Sequence, residues 1–151
     1  MASPKLSTVI EGIKTVLKTV KSNSTYPNKV DIANDNIHTG FTDAFKVSQE
    51  YPRIAIVFSG KDNKQKPGAV VGSRADFTLI FITAKLDDND EEPDIKLSNA
   101  VEDIEQAFAQ NDSLGGVVQD AFVVNVIVEQ TATYPEGIAI FTLMVEYDQQ
   151  Y

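Results

Sequence analysis

The side chains that could carry out catalysis or bind a metal are few and scattered. His38 is the sole histidine, and the chain has no cysteine. One imidazole supplies neither a pair of metal ligands nor an evident base for a serine or threonine nucleophile. We interpret His38 as a solvated side chain in a loop. The sequence predicts no catalytic residue, no metal site and no cofactor, and no pattern in it supports a catalytic carboxylate pair, so we expect that the protein is not an enzyme.

Two segments have the composition of ligand-binding loops but not their spacing. The acidic stretch from Asp87 to Asp94 lacks the central glycine and the terminal glutamate of an EF-hand loop. Gly115 and Gly116 lie outside any phosphate-loop pattern. Because carboxylates favour a helix N-terminus and glycine favours a helix C-terminus, we predict an acidic loop leading into a helix, and a helix that ends at the glycines.

The charged residues argue against tight binding of nucleic acid. With 22 acidic and 13 basic residues, the net charge is −9, which repels phosphate over most of the surface. DNA is expected only as a passing, non-specific contact. Lys61, Lys64 and Lys66 form a small basic patch in a predicted loop, solvated in the simplest interpretation. A phosphate or partner-contact loop is the alternative.

Length and composition indicate one domain covering residues 1–151. A chain of this size buries about two thirds of its unfolded surface, and 42% hydrophobic with 23% charged residues is typical of a globular protein. The longest apolar run, Phe77 to Ile82, is much shorter than the roughly 20 residues that cross a bilayer. We therefore expect no membrane association. The lack of cysteine fits a reducing cytoplasm.

Apolar residues at helical spacing predict two amphipathic helices. The first runs from Leu6 to Val20, preceded by Ser3 and Pro4, which favour a helix start. The second has its apolar stripe from Leu97 to Phe108. Each helix has one apolar side, so each is expected to pack against the sheet.

The remaining apolar segments predict strands. We place them at Arg53–Phe58, Ala75–Ala84, Ala121–Gln130 and Ile138–Tyr147, and we place one short strand in the weakly patterned segment Lys29–Glu50. The predicted fold is α+β. It has a single mixed or antiparallel β-sheet of four to five strands with two helices packed on one face.

The last two predicted strands form a hairpin about Tyr134–Gly137. Strict alternation places Val124 and Val126 on the same face of the hairpin. Together with the second helix, this face is expected to form the core. The residues that we predict to be buried are Phe108, Val124, Val126, Ile140 and Leu143.

The strand Ala75–Ala84 is apolar on both faces. Phe77, Leu79 and Phe81 point one way, and Ile80 and Ile82 point the other. One helix layer covers one face, so the other is expected to meet a partner subunit or a long loop. We predict Phe77, Leu79 and Phe81 as a self-association surface.

The chain resembles the tail terminator, or tail completion, family of long-tailed, lambda-like bacteriophages. The resemblance covers the order of helices and strands, a Tyr-Pro-x-Ile strand start at Tyr51–Ile54, the segment Leu114–Val117 after the second helix, and two final strands ending in Val145–Tyr147. The segment Lys29–Glu50 has no counterpart.

The resemblance implies a structural α+β subunit that assembles into a ring, hexameric in the lambda-like members. Such a ring caps the head-proximal end of the tail tube, ends tube polymerisation and presents a surface to the head connector or stopper protein. The implied location is the virion tail, after assembly in the cytoplasm of the bacterial host. The alternatives are a head-tail connector or neck subunit, a ferredoxin-like sensor or ligand-binding module and, third, an enzyme.

Overall fold

The computed structural model describes residues 5–22, 37–39, 53–68, 70–82, 93–129 and 138–150. These contain two helices, α1 (Leu6–Ser22) and α2 (Pro93–Gln110). They also contain five strands, β1 (Ile37–Thr39), β2 (Arg53–Lys66), β3 (Val70–Ile82), β4 (Asp120–Glu129) and β5 (Ile138–Gln150). The predicted α+β class is confirmed.

The strands form one mixed sheet in the order β1-β2-β3-β5-β4. β1 runs parallel to β2 and pairs only with residues 54–56, whereas every other neighbouring pair is antiparallel. The longest uninterrupted ladder joins β3 to β5, from Val70 opposite Gln150 to Ile82 opposite Ile138. The sheet therefore has β3 and β5 at its centre and β4 along one edge.

Both helices pack on the same face of this sheet. Alternate residues of β2, β3 and β5 point towards the helices, and the apolar stripes of α1 and α2 cover them. The two predicted helices, and their position on one face, are confirmed. The largest side chains of this core are Phe77, Phe81, Phe108, Phe141 and Tyr147, all almost completely buried.

The opposite face, which we call the open face, is also apolar near one end. Ala55, Ile80, Ile82 and Ile138 form a second buried cluster, with Val57 and Ile140 packed beside it. The apolar second face predicted from the sequence is confirmed. Ile80 and Ile82 are already buried in the single chain, so they do not form an exposed surface that a partner could cover.

The turns that follow the end of α2 at Gln110 contain three residues with left-handed backbone. Leu114, Gly115 and Gly116 all have positive φ, at 50°, 75° and 89°. The backbone N–H groups of residues 116, 117 and 118 donate to the carbonyl oxygen of Ser113 at 2.9–3.1 Å. The prediction that the helix ends at the glycines is wrong, because α2 ends at Gln110 and the glycines lie in the turns that follow it. Left-handed backbone at these two positions costs glycine little.

The buried side chain of Leu114 packs against α1 and so holds this turn beside that helix. A Cβ atom at Gly12 of α1 would lie 3.1 Å from the Cβ atom of Leu114. Glycine at position 12 thus allows the two backbones to approach closely. The packed Leu114 side chain offsets the strain of its own positive φ.

Two predictions about the strands are wrong. Lys61, Lys64 and Lys66 are not in a loop, because β2 continues to Lys66 and pairs with β3 along that length. In β4 the ladder shifts between Val123 and Asn125. Val124 is therefore an extra residue, a β-bulge, and the alternation of faces reverses after it.

The bulge changes the set of buried residues. Phe108 and Leu143 are buried as predicted, but half of Val124 is exposed. Val126 and Ile140 are partly buried and pack on opposite faces of the sheet. The prediction is wrong for Val124 because it assumed unbroken alternation.

Some expectations concern residues outside the described ranges. These are the helix start at Ser3 and Pro4, the turn at residues 134–137, and residues 87–92 of the acidic stretch. Within the described part of the chain, neither helix has the length and apolar character needed to cross a membrane.

Phe108 and Phe122 provide a matched test of the core. Replacing the buried Phe108 by Ala should lower the free energy of unfolding by about 3–5 kcal/mol, because the cavity adds to the lost burial. Phe122→Ala makes the same truncation where 37% of the residue is exposed. We expect it to cost less than about 1.5 kcal/mol. Denaturant unfolding of both variants measures the difference, and equal losses would contradict the assignment of faces.

Candidate functional site

The residues predicted to mediate self-association lie in the core. Phe77, Leu79 and Phe81 are exposed by 0%, 0% and 1%, and they pack beneath the helices. The prediction of a self-association surface at these residues is wrong. Both faces of the strand are apolar, and the helices cover the face that carries the aromatic rings.

The three predicted lysines do not form one patch. Strand register places Lys61 level with Ala75 on the helix-covered face, and its ammonium group lies 5.6 Å from the centre of the Tyr147 ring. Lys64 and Lys66 point to the open face, level with Gly72 and Val70. Alternation along β2 therefore divides the basic charge between two faces.

The open face carries a shallow groove of about 360 Å³ where β2, β3 and β5 extend past β4. Its charged side chains are mostly paired. The Lys66 ammonium donates to Asp148 Oδ1 at 2.8 Å, and Arg74 Nη2 donates to Glu146 Oε1 at 3.3 Å. Three acidic and three basic residues line the groove, namely Asp62, Glu146, Asp148, Lys64, Lys66 and Arg74. The lining has no net charge, so it does not favour phosphate.

Asp148 joins this network to the turn before β4. Gln119 Nε2 donates to Asp148 Oδ2 at 2.8 Å, while Lys66 occupies the other carboxylate oxygen. The hydrogen bond from Lys66 is the main reason why the pKa of Asp148 lies below its usual value of 3.8, and the bond from Gln119 and the Lys66 charge act in the same direction against partial desolvation.

Within the described ranges, the exposed large apolar side chains lie on two strands. Those of β4 are Phe122, Val124, Ile127 and Val128, with 37%, 50%, 56% and 44% of each residue exposed. The fifth is Phe58 of β2, with 39% exposed. The sequence pattern did not indicate this surface, because it predicted β4 within the core hairpin and a β2 strand that ends at Phe58.

β4 is a sheet edge whose protection against further pairing is a single β-bulge at Val124. β5 pairs with it on one side, and no described strand pairs with it on the other. The strand contains neither lysine nor proline, two residues that commonly prevent edge strands from pairing. Its charged residues are Asp120 and Glu129 at its two ends. An apolar edge of this kind is suited to pairing with another strand.

The other side of the sheet also leaves part of an edge uncovered. β1 reaches only Ile56 of β2, so residues 57–66 have a described neighbour, β3, on one side alone. We call residues 57–66 the outer segment of β2. It is more polar than β4 and carries Lys61, Lys64 and Lys66 with a single acidic residue, Asp62.

The remaining candidate for chemistry, His38, is on a strand. It lies in β1 level with Ala55 and is half-buried, so the prediction of a solvated loop residue is wrong. Among the described residues, no three His, Asp or Glu side chains are grouped closely enough to hold a metal ion.

The fold is α+β, with two helices on one face of a five-stranded mixed sheet and with strand segments on both sides of the sheet that no other described strand pairs with. No protein family matches the sequence, and no curated protein is similar to it. The chain is similar in structure to a chain in the virion of a native gene transfer agent particle, with 10% sequence identity and a TM-score of 0.46. The match covers 93% of this chain and 97% of the other. Such a distant likeness assigns no function.

The Asp148 network makes a prediction about pKa. In Lys66→Gln the pKa of Asp148 should rise towards 3.8, because the variant loses both the charge and the strongest hydrogen bond. Gln119→Ala should raise it less. Arg74→Gln, which removes the neighbouring ion pair with Glu146, is the control and should leave it nearly unchanged. Carboxyl chemical shifts followed by NMR during an acid titration measure all three.

The sign of the associated stability follows from linkage. Because the pKa of Asp148 is lower in the folded state, its contribution is present above the unfolded pKa and is lost as the pH falls through the folded pKa. A pKa of Asp148 that did not change in Lys66→Gln would contradict the contact as the cause.

Proposed function

We propose that this protein is a structural subunit of a phage tail, a tail terminator that assembles as a ring on the head-proximal end of the tail tube. The ring, a hexamer as in the lambda-like members of the family, would end tube polymerisation and meet the head connector or stopper protein. It would work through surfaces and without catalysis. Its place would be the virion tail, after assembly in the host cytoplasm.

The observation that carries this proposal is the apolar edge strand β4. Four exposed apolar residues lie on one ten-residue strand whose outer side has no described partner. In a protein that works as a monomer, an exposed edge of this length and composition would promote unwanted association and aggregation. A subunit that assembles with its neighbours would use the same edge as an interface.

Two further observations support a structural role. The sequence resemblance to tail terminators extends over most of the chain, and the order of the described elements, α-β-β-β-α-β-β, fits it apart from β1, which lies in the segment without a counterpart. That order differs from the β-α-β-β-α-β order of a ferredoxin-like sensor module. A head-tail connector or neck subunit remains the nearest alternative, since it would also assemble through exposed edges.

A lysine on the edge strand tests the proposal. Ile127→Lys should prevent self-association without unfolding the subunit, because an unpaired charge is strongly disfavoured in an apolar interface. Ser98→Lys is the matched control, since it adds the same side chain on the exposed surface of α2. Size-exclusion chromatography with light scattering measures the assembly, and denaturant unfolding confirms that both variants fold.

The same variants separate the alternatives in a phage. A terminator that cannot form its ring should give tails of irregular length that do not join heads, whereas a neck subunit with the same defect should give tails of normal length. Normal tails and full infectivity from an Ile127→Lys variant shown not to assemble would overturn the proposal. A wild-type protein that remained a monomer or dimer and bound a small molecule would favour the sensor module.

A further inference from the structure

We propose that β4 of one copy pairs, antiparallel, with the outer segment of β2, residues 57–66, of a second copy. This pairing rests on the proposed assembly function and names its interface. It is a head-to-tail contact, because it joins two different edges of the same sheet. Neither edge pairs with another described strand on its outer side, and together they carry the five exposed large apolar side chains found among the described residues.

The two segments match in length and in irregularity. β4 has ten residues, and the outer segment of β2, residues 57–66, also has ten. Each contains one residue outside the ladder register, Val124 in β4 and Ser59 in β2. The strand directions also fit. β4 runs opposite to β2 within one sheet, so a second copy placed beside the first in the same orientation continues the antiparallel alternation.

β1 determines how the two copies are displaced. It occupies the edge of β2 up to Ile56, so an incoming strand can begin only at Val57. Through β3, residues 57–66 lie level with β5 residues 142–150, while β4 lies level with residues 138–146. Full pairing therefore displaces the second copy by four residues along the strands, about 13 Å.

A displacement of four residues keeps the two sheets in phase. Because side chains alternate with a period of two, an even displacement places the helix-covered face of one copy beside that of the next. A displacement of three or five would bring a helix-covered face against an open face. The position allowed by β1 is thus also one at which two sheets join into a continuous one.

At this displacement the side chains on the two edges complement each other. Val128 comes opposite Phe58, so two apolar residues that are exposed in the single chain cover one another. Asp120 comes opposite Lys66, which brings a second carboxylate to that ammonium group. Phe122 comes opposite Lys64, whose aliphatic stem and charge both suit an aromatic ring.

Charge also disfavours the two symmetric pairings. β4 carries Asp120 and Glu129 and no basic residue, so two copies of β4 placed antiparallel would bring these carboxylates together. The outer segment of β2 carries three lysines against one aspartate, so two copies of it would repel as well. Pairing of one edge with the other avoids both repulsions, which is how specificity for a head-to-tail contact arises.

Engineered disulfides test the pairing cleanly, because the native chain has no cysteine. In the proposed register Asn125 of one copy lies opposite Asp62 of the next, and both are exposed on the open face. Within one chain they are separated by β3 and β5, too far apart for a disulfide. The double variant Asn125→Cys/Asp62→Cys should therefore give only intermolecular disulfides, seen on a non-reducing gel as a ladder of oligomers ending at the ring.

Two controls address register and folding. Asn125→Cys/Lys66→Cys moves one thiol four residues along β2, about 13 Å from its partner, and should not cross-link. A second pair in the proposed register, Phe122→Cys/Lys64→Cys, should cross-link as the first does, so that a folding defect in one variant does not decide the result. Denaturant unfolding under reducing conditions checks that each variant is folded.

Mixtures of single variants distinguish the pairing modes. Asn125→Cys mixed with Asp62→Cys should give a cross-linked dimer, and neither alone should cross-link. A dimer from Asn125→Cys alone would mean that β4 pairs with itself, and the proposal would fall. Chains that associate in light scattering yet give no disulfide in either designed pair would also overturn it, leaving the assembly function intact. A chain that neither associates nor cross-links at its highest soluble concentration would overturn both.

Discussion

The fold depends on the antiparallel ladder between β3 and β5. It is the longest unbroken pairing in the sheet, and on one side it presents Phe77, Leu79 and Phe81 beside Phe141 and Leu143. This wide apolar surface is what α1 and α2 cover. Because each helix has only one apolar stripe, its stability depends on this surface more than on intrinsic helix propensity. The other strands extend a sheet whose centre is already fixed.

The helices were predictable from the sequence for the same reason. Apolar residues from Leu6 to Val20 and from Leu97 to Phe108 repeat at helical spacing, and polar residues occupy the remaining positions, so the local pattern and the packing agree. The same pattern could not show which face of β3 receives the helices. Phe77 and Ile80 are both apolar, and only the arrangement of the whole sheet decides between their faces.

The errors at the sheet edges have a local cause. The polar residues 61–66 have the composition of a loop, yet each pairs with β3, which shows that a strand with a partner on one side tolerates side chains that the interior excludes. Val124 is bulged although no glycine or proline marks the place. One inserted residue reverses the faces of a strand, so the exposed apolar edge was hidden from any argument based on strict alternation.

The sheet edges connect this fold to assembly. A protein can blunt, cover or pair its free strand edges. Here β1 pairs with residues 54–56 of β2, so that part of the edge is already occupied. In the proposed contact that short strand sets the displacement between copies. If every contact displaces the next copy in the same direction along the strands, the strands of a closed assembly are tilted relative to its axis, as they are in a β-barrel.

Closure then distinguishes a ring from a fibre. A head-to-tail contact closes when its rotation returns to the first copy, and otherwise it continues indefinitely. The terminator function that we propose needs the closed form, because an open series of subunits would prolong the tube that a terminator has to end. In the proposed contact, β1 occupies part of the edge of β2 and so limits where the strand of the next copy can pair.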